Sequence, residues 1–400
     1  MAKIKSQFIL NMTLVFVGLL YKTNYMRILL FLLSISGSVS AQSYYLFVGT
    51  YTNSGSKGVY VYRFNAATGK AEAVSNTENA DVANVANPSY LAISPNKKFI
   101  YAVNETGGAK PGTVSAFSFD QKTGKLTFIN KQPSGGDGPC YITVSKNDKW
   151  ALVANYSGGS LAALPIDANG ALKPFSQLIQ HTGKGADAQR QEKPHVHSTI
   201  LSPQQDYLFS ADLGLDKVFT YAFKPSANKP LEDAQPPFTE TVPQAGPRHF
   251  TFHPNERFAY LIEELSGNVI AYSYNKGKLT LLQSIAAHPA DYKGNLGSAD
   301  IHVSPDGRFL YASNRGDENT LAIFSIDPKT GKLEAKGYQS TLGKAPRNFI
   351  IDPTGNYLLV ANQQTNNIVI FKRDKETGLL QEAGEQINIP LPVCLQLMKQ

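Results

Sequence analysis

The sequence predicts an all-β protein, a seven-bladed β-propeller built from four-stranded antiparallel blades. Three observations lead to this prediction: a composition rich in turn-forming and aromatic residues, a unit that recurs about every 50 residues, and a C-terminal segment that completes an otherwise incomplete first unit. The 400 residues include 32 Gly, 23 Pro, 20 Tyr and 21 Phe. This composition favours many short strands joined by tight turns.

The repeated unit begins with a short strand that carries the pattern Pro-x-Tyr-Leu-x-x-Ser-Pro. In the clearest copy this pattern covers 88–95, a second apolar strand ends in Asn104, and a third strand covers 113–119. The copies after it begin at Gly138, Pro194, Gly246, Ala299 and Ala345. Together these make six full units, and each is typical of a four-stranded antiparallel meander.

Turn residues divide each unit at fixed places. Between the first two strands a turn recurs with Pro at its second position, which presets φ for a type I turn and predicts a hairpin. These turns are Ser94–Lys97, Ser202–Gln205, His253–Glu256, Ser304–Gly307 and Asp352–Gly355. Between the third and fourth strands a Gly supplies the positive φ of a bulged loop. These loops are Asn65–Gly69, Asp120–Gly124, Asp327–Gly331 and Asp374–Gly378.

The two ends of the repeat array determine the number of blades. Tyr44–Thr50 matches a second strand, so the first unit lacks its innermost strand. The segment 392–398 repeats the inner-strand pattern after the seventh unit's outer strand. We therefore predict that the C-terminal strand pairs into the first blade and closes the ring, which removes exposed sheet edges. An open solenoid of seven units would have no use for a split unit.

The N-terminal segment 1–41 is predicted to be a signal peptide. Met26-Arg27 begins a charged start, 28–35 is apolar, and Val39-Ser40-Ala41 supplies the small residues of a cleavage site; Met26 is an alternative initiator. Neither apolar run reaches the roughly 20 residues that span a bilayer, so we expect no stable membrane anchor. Export to the periplasm is the expected outcome.

Charge and cysteine content exclude other classes of partner and site. The segment 1–41 holds four of the basic residues and no acid, so the formal charge falls from +7 to +3 without it. No Lys/Arg cluster remains to follow a phosphate backbone, and we expect no nucleic-acid partner. Cys140 and Cys394 fit no metal spacing and lie in inner strands separated by another blade, so we expect two free thiols. Trp150 is expected to pack within its blade.

Propeller geometry predicts where chemistry would occur. In an antiparallel meander the start of the first strand and the end of the second lie at the same end of the sheet, so these positions from all blades surround one mouth of the channel. Polar residues that depart from the repeat are concentrated there. As catalytic candidates we select His195, His197, Arg248, Glu264 and Arg315, and as substrate-binding candidates Glu105, Asn155, Asp212, His249, His302 and Arg347.

This set of side chains fits the hydrolysis of a lactone. Water that attacks the ring carbonyl needs a base, which an imidazole or Glu264 could supply. The tetrahedral oxyanion needs nearby cations, a role for Arg248 and Arg315, which could also bind an anionic group of the substrate. His195 and His197 are spaced like a metal pair, but no third ligand recurs with them, so no metal is expected. Signatures of serine hydrolases, metalloproteases and nucleotide-binding proteins are absent.

Several motifs in fixed order resemble the lactonase family of seven-bladed propellers, from about Tyr44 to the C-terminus. The motifs are Val48–Thr52, Pro194–His197, Asp212–Asp216, Gly246–His249 with Phe252–Pro254, Glu264-Leu265, Ser313–Gly316 and Asp352–Gly355. The resemblance implies an active site with a histidine, either His195 or His197, together with Arg248, Glu264 and Arg315. It also implies that no metal or organic cofactor is needed.

The resemblance leaves the reaction partly open. The family includes propeller-type 6-phosphogluconolactonases, whose substrate is cytoplasmic, whereas an exported protein would encounter unphosphorylated sugar lactones such as gluconolactone. The family also includes a fungal carboxy-muconate lactonizing enzyme, so a lactonizing or isomerising activity is a second hypothesis. A non-catalytic, ligand-binding propeller is the third.

Overall fold

Seven four-stranded antiparallel sheets make up the computed structural model, which describes residues 42–76 and 85–400. The predicted signal peptide at 1–41 lies outside the described residues. The first four blades contain β1 (Ser43–Thr50), β2 (Tyr60–Asn65), β3 (Ala71–Asn76), β4 (Tyr90–Ile93), β5 (Phe99–Asn104), β6 (Thr113–Asp120), β7 (Lys125–Pro133), β8 (Pro139–Val144), β9 (Trp150–Asn155), β10 (Ser160–Pro165), β11 (Gln177–Gln180), β12 (Val196–Leu201), β13 (Tyr207–Asp212), β14 (Lys217–Phe223) and β15 (Leu231–Glu240).

The last three blades and the closing strand follow in the same order. They contain β16 (Pro247–Phe252), β17 (Phe258–Glu263), β18 (Asn268–Asn275), β19 (Lys278–Ala286), β20 (Ser298–Val303), β21 (Phe309–Asn314), β22 (Thr320–Ile326), β23 (Leu333–Ser340), β24 (Pro346–Ile351), β25 (Tyr357–Asn362), β26 (Asn367–Arg373), β27 (Leu380–Asn388) and β28 (Pro392–Lys399). No helix within the described ranges has the length and apolar character needed to span a bilayer.

Ring closure occurs as the sequence predicted. β28 pairs antiparallel with β1, with Tyr45 opposite Met398 and Val48 opposite Leu395. The first blade therefore has the strand order β28-β1-β2-β3, whereas the other six blades are consecutive meanders. The prediction of a seven-bladed all-β propeller closed by its C-terminal strand is confirmed.

Blades contact one another through aromatic residues and the glycines of the loops between third and fourth strands. Tyr260 donates its hydroxyl hydrogen to the carbonyl of Gly331 in the next blade, at 3.0 Å, and Tyr311 does the same to Gly378, at 2.6 Å. Gly331 has a φ of +71°, and a Cβ there would lie 2.4 Å from Phe258. These loops thus need glycine both for the backbone conformation and for the close approach of the blades.

Both cysteines are free and buried, as expected. Cys394 lies in the first blade and Cys140 in the third, with the second blade between them. Trp150 is also buried; its indole N–H donates to the carbonyl of Pro225 in the next blade at 2.9 Å. Trp150, expected to pack within its own blade, packs between the third and fourth blades.

Candidate active site

A β-bulge at the start of the inner strand recurs from blade to blade. In β12, Val196 is opposite Asp212 and Ser198 is opposite Ala211, so His197 is an extra residue in the pairing. The same irregularity makes Arg248 the extra residue of β16 and Arg347 that of β24. Bulges turn a side chain away from its alternating position. The three bulges bring one polar residue from each of three blades to the same mouth of the channel.

The residue directly after the second strand supplies the other half of the site. Glu264 follows β17, Arg315 follows β21, Glu105 follows β5 and Tyr156 follows β9. In each blade this position lies next to the start of the inner strand, because antiparallel neighbours run in opposite directions. The bulged residues and these four residues therefore surround one opening.

Glu264 is the centre of the site and contacts three arginines. Its Oε2 accepts a hydrogen bond from Arg248 Nε at 2.9 Å and lies 3.0 Å from an Nη of Arg315. Its Oε1 accepts a bond from Arg190 Nη2 at 2.7 Å. The Glu264 side chain is 8% exposed and that of Arg248 1%. Burial of several like charges is costly unless each is paired or has a function.

His197 is the imidazole closest to this carboxylate. Its Nε2 lies 3.9 Å from Glu264 Oε2, and its Nδ1 lies 3.8 Å from the thiol sulfur of Cys140. The rings of Tyr156 and His249 pack around it at centroid distances of 5.1 and 5.4 Å. Its side chain is almost fully enclosed by these neighbours.

Burial and charge set the protonation states of the cluster. Burial would raise the pKa of Glu264, but Arg315 and Arg248 hold that pKa well below its usual value, so the group is a carboxylate. Burial lowers the pKa of Arg248 to about 10, and Arg315 and Arg347 add to the effect; the guanidinium stays charged at neutral pH. Burial, with the positive charge of Arg248, also lowers the pKa of His197 well below 6.5. His197 is therefore a neutral imidazole at pH 7.

A second ion pair lies on the same rim. An Nη of Arg347 lies 3.8 Å from Glu105 Oε2, which also accepts a hydrogen bond from the Tyr51 hydroxyl at 2.9 Å. The Arg347 guanidinium lies 5.6 Å from the centre of the Tyr51 ring. The side chains of Arg347 and Glu105 are 17% and 23% exposed, so both reach the open part of the mouth.

A group around Asp300 lies beside the Glu264 cluster. The two carboxylate oxygens of Asp300 bind His249 Nδ1 at 2.7 Å and His302 Nε2 at 3.0 Å. The amide of Asn348 also donates to this carboxylate, at 2.5 Å. His302 is one third exposed and packs edge-on against Phe349. Since every oxygen of Asp300 is engaged, this group fixes the orientation of His249 beside His197.

Comparison with known proteins identifies the family of this chain. A family model described as "Lactonase, 7-bladed beta-propeller" matches residues 45–397. This chain belongs to the lactonase family. A 6-phosphogluconolactonase from Formosa agariphila is 40% identical over 354 residues, which covers 88% of this chain and 99% of that protein.

Solved structures agree with this membership of the lactonase family. A candidate 6-phosphogluconolactonase from Bacteroides fragilis superposes with a TM-score of 0.85 at 44% identity, covering 90% of this chain and 99% of that one. A periplasmic gluconolactonase from Pseudomonas aeruginosa superposes with a TM-score of 0.83 at 38% identity, covering 89% and 99%.

Four of the five residues selected as catalytic candidates meet at one point: His197, Arg248, Glu264 and Arg315. His195 does not join them. Its Nδ1 lies 3.1 Å from the carbonyl of Tyr156, its Nε2 lies 3.2 Å from Glu192, and its ring stacks on Tyr156. With both ring nitrogens engaged, His195 is placed to support Tyr156, and His197 is the histidine that faces Glu264.

Two of the residues selected for substrate binding have no exposed surface in this structure. Asn155 and Asp212 are the last residues of second strands and are fully buried. The amide of Asn155 donates to the carbonyl of Ser134 at 3.0 Å. Asp212 accepts bonds from the backbone N–H groups of His195 and Gly214 and binds His181. Both side chains thus satisfy buried backbone groups, and their selection for substrate binding stays a prediction.

Four residues of the site were not selected from the sequence: Arg190, Tyr51, Tyr156 and Asp300. Tyr51 and Tyr156 occupy the same repeat position as Glu105 and Glu264, and that register could have revealed them. Arg190 lies in the segment between β11 and β12, which has no counterpart in the repeat. As for metals, no group of three or more His, Cys, Asp or Glu within 42–76 and 85–400 is arranged to hold one.

Proposed function

We propose that this member of the lactonase family hydrolyses a sugar-acid lactone at the Glu264 cluster. The observation that carries the proposal is a buried carboxylate in contact with three guanidinium groups, with a neutral imidazole 3.9 Å away. Ester hydrolysis needs these two components: a base for water and positive charge for the oxyanion. The lactone hydrolases among its relatives support the same reaction.

His197 is the base in this proposal. A carboxylate held by three arginines is a weak base, because its pKa is lowered well below the usual value. The neutral imidazole of His197 can accept a proton from water as the water oxygen bonds to the lactone carbonyl carbon. The imidazolium so formed lies beside Glu264, whose negative charge stabilises it. Glu264 thus acts through His197 and the arginines.

Arg315 and Arg248 stabilise the negative charge that develops on the carbonyl oxygen. Arg315 is also held by the carbonyl of Gly297 at 2.9 Å, and Arg248 by the carbonyl of Ala299. Because these guanidinium groups are already oriented, they need little reorganisation during the reaction. Collapse of the tetrahedral intermediate then breaks the ring C–O bond, and His197 returns its proton to the departing ring oxygen. The product is the open hydroxy acid.

The location of the protein bears on its natural substrate. We propose export to the periplasm, on the basis of the signal-peptide pattern in 1–41. The related protein from Pseudomonas aeruginosa is named a periplasmic gluconolactonase. An exported enzyme would encounter aldonolactones formed outside the cytoplasm, whereas a cytoplasmic one would encounter phosphorylated lactones.

A panel of sugar lactones tests the proposal. Purified protein is incubated with glucono-δ-lactone and its 6-phosphate at constant pH, and acid release is compared with release in buffer, because these esters also open unaided. Arg315→Ala should reduce the excess rate by about two orders of magnitude, as loss of an oxyanion donor does. Arg308→Ala, which removes an exposed arginine near the opposite turn of the same blade, is the matched control.

The outcomes separate the hypotheses. Rates equal to buffer for the wild-type protein on every lactone would overturn the proposed function. Ultraviolet absorbance from an unsaturated product would indicate a lactonizing or isomerising enzyme instead. Lactone binding without turnover would indicate a ligand-binding propeller.

A further inference from the structure

The segment between β11 and β12 holds Arg190 in a fixed position over the mouth. Gln191 is fully buried, and its side-chain oxygen accepts the N–H groups of Ala186 and Asp187, at 3.1 and 3.0 Å. Its side-chain nitrogen donates to the carbonyl of Leu213 at 2.9 Å and to Asp216 at 2.7 Å. These bonds tie the segment to the fourth blade.

The side chain of Asp187 fixes the backbone at Arg190. Its carboxylate accepts the backbone N–H groups of Gln189 and Arg190, at 2.8 and 3.0 Å. Four side-chain to backbone bonds within six residues therefore define the backbone direction at Arg190. A side chain held in this way loses little further entropy when it binds a ligand.

Arg190 differs from the other two arginines in how much of it remains available. Its side chain is 43% exposed, against 1% for Arg248 and 19% for Arg315. One nitrogen, Nη2, donates to Glu264 and to the Tyr156 hydroxyl, at 2.7 and 3.3 Å. Within the part of the chain that the structure describes, its Nε and Nη1 donate no hydrogen bond to protein. Three N–H groups of Arg190, one on Nε and two on Nη1, are therefore unused by these residues on a side chain that is partly exposed.

The charge balance around Glu264 favours an anion at that position. Three guanidinium groups contact one carboxylate, so the cluster carries a formal excess of two positive charges while His197 is neutral. Arg347 and Glu105 balance each other, and Glu192 on the same segment is engaged with His195. One excess charge serves the oxyanion in the proposed reaction. The other has no partner among these residues.

We propose that Arg190 binds an anionic substituent on the lactone, such as a phosphate or second carboxylate, and so sets the preference for charged over neutral sugar lactones. The inference rests on the proposed function and adds a specificity-determining residue to it. A guanidinium is a permanent cation with several N–H donors, the combination that binds phosphate and carboxylate groups. Arg190 keeps donors that the protein does not use, whereas Arg248 and Arg315 also bond backbone carbonyls.

Arg190→Ala tests the inference. The measured quantity is kcat/KM for three substrates: glucono-δ-lactone, its 6-phosphate and a glucarolactone with a free carboxylate. We expect the variant to lose about 10- to 100-fold on the charged substrates, the range for a hydrogen bond to a charged group, mainly through KM. The loss on the neutral lactone should be at least about tenfold smaller, because Arg190 contacts Glu264 in both cases but an uncharged substrate offers it no anion. Arg190→Lys should recover part of the loss, because it keeps the charge but offers fewer N–H donors.

A control and a binding measurement make the result decisive. Lys193→Ala removes an exposed cation of the same segment, which donates to the carbonyl of Ser157, and should leave all three substrates unaffected. Calorimetry with 6-phosphogluconate and gluconate measures the contribution of Arg190 to binding affinity without any turnover. Arg190→Ala should weaken binding of the phosphorylated acid alone. If the wild-type protein opens no lactone, the proposed function fails while this measurement still tests Arg190.

Each of the remaining outcomes either supports or overturns the inference about Arg190. Equal losses on charged and neutral lactones, or no loss on either, would overturn the inference. A loss confined to the phosphorylated lactone would identify phosphate as the anion, and a loss on both charged lactones would identify the anionic group in general.

Discussion

The channel mouth and the opposite face of the propeller both carry charged side chains, but these are buried at the mouth and exposed on the opposite face. On the opposite face, a groove of about 830 Å³ lies between the fifth, sixth and seventh blades. Its lining includes Arg257, Arg308, Lys336 and Glu376. Arg308 pairs with Glu376 at 3.0 Å, and their side chains are 47% and 81% exposed. At the mouth, by contrast, one carboxylate contacts three arginines and is almost fully buried.

For locating the site in this protein, the volume of a cavity is a poorer guide than the free-energy cost of burying its charged side chains. An exposed pair such as Arg308 and Glu376 gains and costs little, because water screens both groups. A buried cluster with excess positive charge costs several kcal/mol of folding free energy, and such clusters are concentrated at functional sites. We therefore locate the chemistry at the mouth although the groove is a large cavity.

The largest expected effect is that of Glu264→Gln. This change removes the carboxylate that the three arginines share, so it should lower kcat/KM by about 10²- to 10³-fold and the free energy of unfolding by about 3–5 kcal/mol. Lactone hydrolysis and urea unfolding measure the two quantities. A variant with wild-type stability and activity would show that the buried cluster at the mouth matters no more than the exposed ion pair on the opposite face.

His197→Gln should have the next largest effect. Loss of the proposed base should reduce kcat about 10²- to 10³-fold with a small change in stability. His195→Gln is the paired variant, since His195 binds Tyr156 and Glu192 rather than Glu264. It should lose less than about tenfold. The assignment of the base to His197 fails if the two losses are equal or reversed.

Asp300→Asn tests whether the group beside the cluster acts on stability. The carboxylate accepts bonds from His249, His302 and Asn348, and an amide cannot replace all three. We expect the free energy of unfolding to fall by about 2–4 kcal/mol, measured by urea denaturation. Asp291→Asn, at an exposed position, is the control. A larger loss of activity than for Glu264→Gln would assign this group to the reaction itself.

The pH dependence of the wild-type enzyme sharpens the assignment of the base. Burial lowers the pKa of His197 well below 6.5, so the imidazole stays neutral as the pH falls from 8 to 6.5. kcat/KM should be constant over this interval and decline only at lower pH, as protonation removes the base. Measurement at constant pH with subtraction of the buffer rate gives the profile. A midpoint at or above pH 6.5 would contradict it.

Glu376→Gln should have the smallest effect. It removes the exposed partner of Arg308 on the opposite face, and such pairs contribute at most about 1 kcal/mol. We expect kcat/KM for every lactone to remain within about twofold of wild type and the melting temperature to change little. A large loss of lactone hydrolysis would move the site from the mouth to the groove.

Much of the molecule could be predicted because it depends on local, repeated patterns. Strand alternation, the Pro-containing hairpin turns and the unpaired strand in the first unit predict seven blades and their closure. The same register identifies the mouth, and with it Arg248, Glu264 and Arg315. Neighbouring positions were harder to separate. Asn155 and Tyr156 are adjacent in sequence, yet the first bonds buried backbone groups and the second lines the site.

The ring, the number of blades and the end of the channel where polar residues lie could all be predicted, because each follows from local periodicity and turn chemistry. Which of these side chains meet depends on the folded ring. A bulge turns His197, Arg248 and Arg347 toward the mouth, and a segment outside the repeat places Arg190 on Glu264. Contacts between residues of different blades depend on how the closed ring packs, and no local pattern specifies that.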